Sequence, residues 1–305
     1  MIMLGANCFV RGNTLVLIRR DNEALMRQAI DWPGRLIYLI DDDITAAARS
    51  PYLPEDYKAR LDSFDRDYHC RLIQRADVLL VPSASLARRF AADTAVTAKI
   101  RHIDPVWPFA MADGRHFGDL RNGAPLRIVH LGSGSHGGAL AAAAPAIARS
   151  LDANPDTEFT YIGRQEPHPA LAGHPRVRRI APMSWPRYRR WLPRQRFHMA
   201  LYPLDETAFD RARSGNKLIE HGIVGAVGVY PEDWAPAHRL GDAAILAPSD
   251  PAGWDERLGD ILAKRAELVH GAAQAADILR RYNSPAAQAD MWCAILEIGN
   301  DQPRA

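Results

Sequence analysis

Arg211, Arg213 and Lys217 fall within a single short stretch, Arg211-Ala212-Arg213-Ser214-Gly215-Asn216-Lys217-Leu218-Ile219-Glu220-His221-Gly222. Cations crowded in this way suit an anion. Apolar runs at 199–204 and 226–230 flank the stretch and read as strands, so the local order is strand, loop, helix, strand. Ser214 is a good N-cap and Gly222 a plausible stop, which predicts a helix beginning beside the cations. A helix N-terminus adds unpaired amides and a positive dipole end, which together favour phosphate. Lys217 and Glu220 share one face of that helix, about 4.5 Å apart along an axis that rises about 1.5 Å per residue. A diphosphate at the lysine then puts a ribose near the glutamate.

The pattern from Phe209 through Arg211, Arg213, Ser214, Lys217 and Glu220 to Gly222, after the strand-like 200–204, resembles the nucleotide-sugar site of GT-B glycosyltransferases of the retaining family four type. The resemblance implies that Lys217 and Arg213 hold the donor diphosphate as the catalytic pair. It also implies that Glu220 takes the ribose hydroxyls, with Ser214, Gly215 and Asn216 at the helix end. In one respect the chain departs from the family: many members carry two glutamates separated by seven residues, and Ala212 stands in the first position.

A chain of 305 residues with 47% hydrophobic and 24% charged residues predicts a soluble globular protein of two domains. Its formal net charge of +2 exerts no global pull on nucleic acid, so none is expected as a partner. Cys8, Cys70 and Cys293 have neither metal-ligand spacing nor an even count, which argues for a reducing compartment, no zinc and no disulfides. The N-terminus lacks a signal-peptide pattern and no long apolar run exists, so the expected location is cytoplasmic.

In the first half, strands at 14–18, 35–40, 77–81 and 98–103 alternate with helices at 21–30, 54–64, 67–75 and 83–90, the rhythm of a parallel sheet covered on both faces. Asp21 is the expected cap of the first helix. Asp41, Asp42 and Asp43 follow a strand and form the weak acceptor-side candidate. Three readings of this triplet stay open: a divalent-metal site of the other glycosyltransferase architecture, a loop facing an interdomain cleft, or a helix-capping turn. No metal is expected. The half is short for an acceptor domain, and only 4–7, Leu-Gly-Ala-Asn, stands in for its glycine-rich turn.

Turn-forming residues dominate 104–125, which places the boundary near 118–120. A strand at 126–131 then leads into Gly132, Ser133, Gly134, Ser135 and His136, a loop whose backbone can approach a phosphate. The order differs from the dinucleotide fingerprint, and Gly163 with Arg164 ends the next strand where an acidic residue is required. A redox dinucleotide is therefore not expected, and no cofactor is. The resemblance places Ser135 and His136 near the donor and lets Arg164 reach the diphosphate.

The stretch 176–196, opening on Arg176 and closing on Arg196, holds eight arginines with Trp185, Tyr188 and Trp191 among them. It reads first as a crossover helix from Arg187 to Leu192 with its tryptophan, Trp191, inward and its arginines in water, and second as a contact with the anionic inner membrane surface.

The expectation is thus an α/β protein of GT-B architecture: two Rossmann-like domains with parallel sheets facing a cleft, and a C-terminal helix crossing back. The domains are residues 1–118 on the acceptor side, 119–282 for the donor and 283–305 as the returning helix. The resemblance implies a retaining, metal-independent transfer from a nucleoside-diphosphate sugar to a glycan, lipid-linked or other cell-surface polysaccharide acceptor. The alternative, motivated by Ala212 and the short first half, is a non-catalytic homologue that binds nucleotide-sugar or glycan as a partner subunit.

Overall fold

Short apolar runs, most buried on both faces, build two six-stranded sheets in the computed structural model, which describes residues 1–92, 96, 99–132, 137–163 and 168–297. The chain divides into two α/β units. The first comprises Met1–Pro105, Thr207–Ser214 and the C-terminal stretch from Pro285; the second comprises Val106–Glu206 and Gly215–Ser284.

In the first unit β1 (Ile2–Met3), β2 (Cys8–Arg11), β3 (Thr14–Ile18), β4 (Arg35–Leu39), β5 (Val78–Val81) and β6 (Ile100–His102) lie in sequence order. From β3 to β6 the pairing is parallel, as the alternation with helices predicts. At the edge it is not: β1 and β2 form an antiparallel hairpin that also pairs antiparallel with β3. The residues at 4–7 are its turn, with Leu4 and Gly5 donating their N–H groups to the Cys8 carbonyl at 2.8 and 3.2 Å. They are no phosphate loop. Ile2 and Met3 are 68% and 69% exposed, so the first strand carries no burial pattern by which sequence could mark it. Asn22, rather than Asp21, caps the Glu23–Ile30 helix by accepting from Leu25 N–H; Asp21 takes the Asn7 N–H. The C-terminal helix Pro285–Ile295 joins this unit, as expected of a returning helix. Its Met291, Trp292 and Ile295 pack on Val16, Ile37 and Leu80.

The second unit orders its strands β12 (Ile245–Ala247), β11 (Val227–Pro231), β10 (Met199–Leu201), β7 (Leu126–His130), β8 (Thr157–Ile162) and β9 (Val177–Ile180), all parallel. The order runs outward in opposite directions from β7 and β10. At such a switch point the helices leave on opposite faces, and a crevice opens beyond the carboxyl ends of the two strands. The unit begins before residue 118 because Trp107, Met111 and Phe117 are buried in its cores. The chain re-enters the first unit at Thr207–Ser214, where Phe209 and Ala212 are buried with Leu36, Leu61 and Leu86 and Ser83 Oγ donates to the Ala212 carbonyl at 2.7 Å.

The expected helix spans Asn216–Val224, with Gly215 at its N-cap position and no side-chain cap. Ser214 therefore is not the N-cap, and Gly222 is not the stop. The helix runs on until Gly225, whose left-handed φ of 77° ends it, a conformation open to glycine at little cost. Gly222 stays helical because a side chain there would meet Leu279 and Met111 at 2.7 Å: its job is close packing.

Buried histidines tie the second unit to pH. His130 donates from Nδ1 to the Leu201 carbonyl at 3.1 Å. His198 accepts the Arg127 N–H on Nδ1 at 2.9 Å. Burial pushes each down to about 4, with Lys217 opposing protonation of His130 and Arg127 that of His198. Both are neutral when folded and titrate near 6.5 when unfolded, so stability is complete above 6.5 and is lost as the pH falls toward 4. At pH 5 each costs about 2 kcal/mol relative to pH 7.5. Asp41, in the first unit, acts in the opposite sense: burial and the Asp42 charge raise it to about 6, so its contribution fades as the pH rises through that value. Urea unfolding followed by tryptophan fluorescence, which reports mainly the second unit because Trp107, Trp185, Trp191, Trp234 and Trp254 all lie there, should show a lower midpoint at pH 5 than at pH 7.5. An unchanged midpoint would refute the buried-neutral assignment.

Candidate functional site

Lys217 stands in the first turn of the Asn216–Val224 helix and reaches across to the end of β7. Its Nζ donates to the Leu131 carbonyl at 2.5 Å and to Glu220 Oε2 at 2.7 Å. The side chains are 14% and 7% exposed, so this pair is largely withdrawn from water and its attraction is less screened than a surface pair's. Tyr188 OH donates to the same carboxylate oxygen at 2.6 Å. Glu220 Oε1 accepts no hydrogen bond among the described residues, which leaves a charged acceptor for a ligand hydroxyl. An ammonium has three donors, and among the described residues two are used. The third, with the N–H groups of the helix start, is what the site offers to an anion.

The surroundings hold these groups in place. His130, whose ring is tethered to Leu201, packs so closely on Gly132 that a Cβ there would lie 2.1 Å from its Nε2. His221, on the helix itself, bonds Tyr230 OH at 2.9 Å and is held well below 6.5 by burial and by Lys217. Both rings are thus neutral near neutrality, and Lys217 is the local cation. On the other side Trp107 Nε1 donates to Asn216 Oδ1 at 3.4 Å and packs edge-on to Trp185 and Tyr188. The Trp185–Trp191 helix therefore does more than cross over. Trp185 at its start is 55% exposed, whereas Trp191, the tryptophan expected inward, packs partly buried against the core and Tyr188 turns in to Glu220.

No family model and no curated protein matches the chain. Among solved structures it is similar to Anabaena HepE in complex with UDP and glucose, with a TM-score of 0.65, 12% identity and coverage of 93% of this chain and 78% of that one. WaaG, a glycosyltransferase involved in lipopolysaccharide biosynthesis, aligns with a TM-score of 0.59 and 16% identity over 90% of this chain and 81% of its own. A putative UDP-N-acetylglucosamine 2-epimerase from Listeria monocytogenes aligns with a TM-score of 0.52 and 14% identity over 96% and 76%. The chain has the GT-B fold.

Of the donor residues read from sequence, this GT-B chain brings Lys217, Glu220, Gly132 and Asn216 together beside the β7–β10 switch point. Gly215 sits at the head of the same helix. Ser133, Gly134, Ser135, His136 and Arg164 lie outside the described residues. Arg213 and Ser214 belong to the first unit. There the Arg213 guanidinium pairs with Asp210 at 2.9 Å and lies 4.4 Å over the Phe209 ring, and Thr207 OH fixes Asp210 from the other side at 2.6 Å.

The aspartate triplet is also in the first unit, at the carboxyl end of β4. Arg19 pairs with Asp41 at 2.9 Å and with Asp42 at 3.2 Å. Asp43 caps the Ile44–Ala48 helix and pairs with Arg89 at 3.2 Å. The helix-capping reading thus holds for Asp43. Arg19 has a φ of 59°, a left-handed backbone that favours glycine, so the reach to both carboxylates is made at a conformational cost. A pocket lined by Arg19, Asp42, Tyr57 and Phe209 lies beside them.

Sequence reasoning missed the contacts of Tyr188 and Trp107. Tyr188 stood in view among the arginines, but the register that turns it toward Glu220 is a tertiary fact. The close approach at Gly132 supplies a test. Gly132→Ala should lose about 1–3 kcal/mol by overpacking against His130, whereas Gly215→Ala, whose nearest new neighbour is 3.6 Å away, should stay within about 0.5 kcal/mol of the parent. Equal urea midpoints for the two variants would contradict this packing.

Proposed function

We propose that the chain is a retaining, metal-independent glycosyltransferase that moves a sugar from a nucleoside-diphosphate sugar to a glycan or lipid-linked acceptor. The observation that carries the reading is the pairing of Lys217 and Glu220 at the carboxyl end of β7, where a parallel sheet of this order binds its ligands. UDP, UDP with glucose, or UDP-glucose in the structures of HepE supports a nucleotide sugar as donor.

Transfer breaks the bond between the anomeric carbon and the diphosphate, so negative charge grows on the leaving oxygens while the sugar becomes oxocarbenium-like. The free Nζ–H of Lys217 and the amides at the helix start face that charge already oriented, which is the form of stabilisation that costs no reorganisation during reaction. Glu220 Oε1 accepts from the ribose. Arg213 is the second cation of the donor site in this proposal, with Ser214 and Gly215 beside it, and Gly132 to His136 and Arg164 complete the phosphate contacts. Asp41 and Asp42, held by Arg19, serve the acceptor's hydroxyls. The work is placed at the cytoplasmic face of the membrane, where residues 176–196 make the peripheral contact. No helix among the described residues is long and apolar enough to cross a bilayer.

A second reading is favoured by Ala212, 3% exposed and packed in the first unit's core where many family members have a glutamate. In it the chain binds nucleotide-sugar or glycan as a non-catalytic partner. The epimerase likeness makes the same point, that the fold alone does not fix the reaction.

A nucleoside diphosphate at about 100 times its Kd should stabilise the chain by about 2.7 kcal/mol without divalent ions. Stabilisation that appears only with magnesium or manganese would overturn metal independence. With a matched donor and acceptor, Lys217→Ala should lower turnover by about a hundredfold or more. Glu220→Gln should instead weaken donor binding by about 1.5 to 3 kcal/mol, because its bond to the ribose exists before as well as during reaction. Steady-state kinetics decide the matter: unchanged turnover and affinity in both variants would reduce this stretch to a structural helix, and binding without turnover in the parent would select the partner reading.

A further inference from the structure

At the amino ends of β7, β8 and β9, the opposite end of the second sheet from Lys217, a groove is lined by Arg127, Arg176, Arg178, Arg194 and Arg196. Two carboxylates, Asp119 and Glu158, also line it, and five guanidinium groups against two carboxylates leave it strongly positive. The pairing within it is weak. Arg127 approaches Asp119 only to 3.8 Å, and Arg178 and Arg194 make no hydrogen bond or ion pair among the described residues.

The other arginines are satisfied by neutral oxygens, which orient a guanidinium and leave its charge uncancelled. Arg176 donates to the Leu151 and Pro155 carbonyls at 2.6 and 3.2 Å, and Arg196 to those of Gln195 and Pro193 at 2.6 and 2.9 Å. The Nε–H groups of Arg127 and Arg176 are buried and meet no acceptor among the described residues, a condition that is costly to leave unrelieved. The field reaches the histidines beneath: Arg127 and Arg196 both add to the burial that depresses His116, and Arg127 does so for His198. Guanidinium forks from separate elements, fixed by carbonyls and short of counter-charge, match the oxygens of a phosphate group.

We propose that this groove is a second anion site, which takes a phosphate group, either the headgroup of an anionic lipid or a free phosphorylated molecule. It uses none of the residues assigned to the nucleotide-sugar donor and stands whether or not the transferase reading does. The membrane contact proposed for residues 176–196 becomes, in the headgroup case, a specific grip on phosphate through Arg178 and Arg194.

The test uses the full chain with Lys217→Ala, which weakens the donor site as a competitor for the probe, and measures binding of inorganic pyrophosphate by calorimetry. It also measures sedimentation with phosphatidylglycerol-containing vesicles and with pure phosphatidylcholine vesicles. Arg178→Glu with Arg194→Glu should weaken pyrophosphate binding at least tenfold, and Arg178→Gln with Arg194→Gln should weaken it less; both residues are exposed, and circular dichroism checks the fold. Loss of anionic-vesicle binding in the same variants assigns the groove to lipid headgroups, and loss of pyrophosphate binding alone assigns it to soluble phosphate. Absence of binding to either probe, or binding that the four substitutions leave unchanged, overturns the proposal. Nucleoside diphosphate binding in a chain with intact Lys217 should be the same with and without Arg178→Glu and Arg194→Glu, so failure of the groove and failure of the donor reading are separable.

Discussion

The bond from Lys217 Nζ to the Leu131 carbonyl fixes the second unit's chemistry, because it ties the start of one helix to the end of the central strand β7. Glu220 and Tyr188 then gather on the same ammonium and carboxylate. A lysine in bulk water samples many rotamers. Here two of its three donors are spent on fixed protein oxygens, so the remaining one has a direction before any ligand arrives. Preorganisation of this kind separates a site from a merely basic surface.

That arrangement depends in turn on sheet order. In a 3-2-1-4-5-6 sheet the outward crossovers part at the first and fourth strands, and only there do loops leave the carboxyl edge unfilled. β7 and β10 are those strands in the second unit. The neutral histidines complete the floor: His130 ties the two strands by its bond to Leu201, and His221 anchors the helix to Tyr230 of β11. Making these residues cationic would add charge beside Lys217 and would break the tautomers on which their hydrogen bonds rest. Burial holds both of them neutral near neutral pH.

Much of this was legible in the sequence. Runs of apolar residues with capping and turn signals located most strands and helices of both units, because parallel strands buried on both faces leave dense, unambiguous patterns. Lys217 and Glu220 were legible for a related reason: helix periodicity alone puts positions three apart on one face. What failed was information that lies between elements. Ile2 and Met3 form a strand by pairing with Phe9 and Val10 while remaining exposed, so no periodicity marks them. Ser214 has the right chemistry for a cap, yet it belongs to the segment that packs with the first unit, and the helix opens without it. Tyr188 looked like one aromatic among arginines until tertiary packing turned it inward.

The same logic explains why a run of eight arginines resolves into different roles. Arg189 lies 5.6 Å over the Phe109 ring, and Arg176 is pinned by two carbonyls. Arg178 and Arg194 are left exposed and, among the described residues, unpaired. A uniformly solvated face would show all of them extended into water, with no element forced to surround them. Instead β7, β9 and the residues before β10 converge, bringing Arg127, Arg178 and Arg196 from distant parts of the chain to one groove. Gathering like charges costs energy that folding must offset elsewhere, here in the apolar core between Ile128, Phe159 and Met199. An anion with several oxygens removes that repulsion, so the groove's affinity for phosphate follows from what the fold had to overcome to build it.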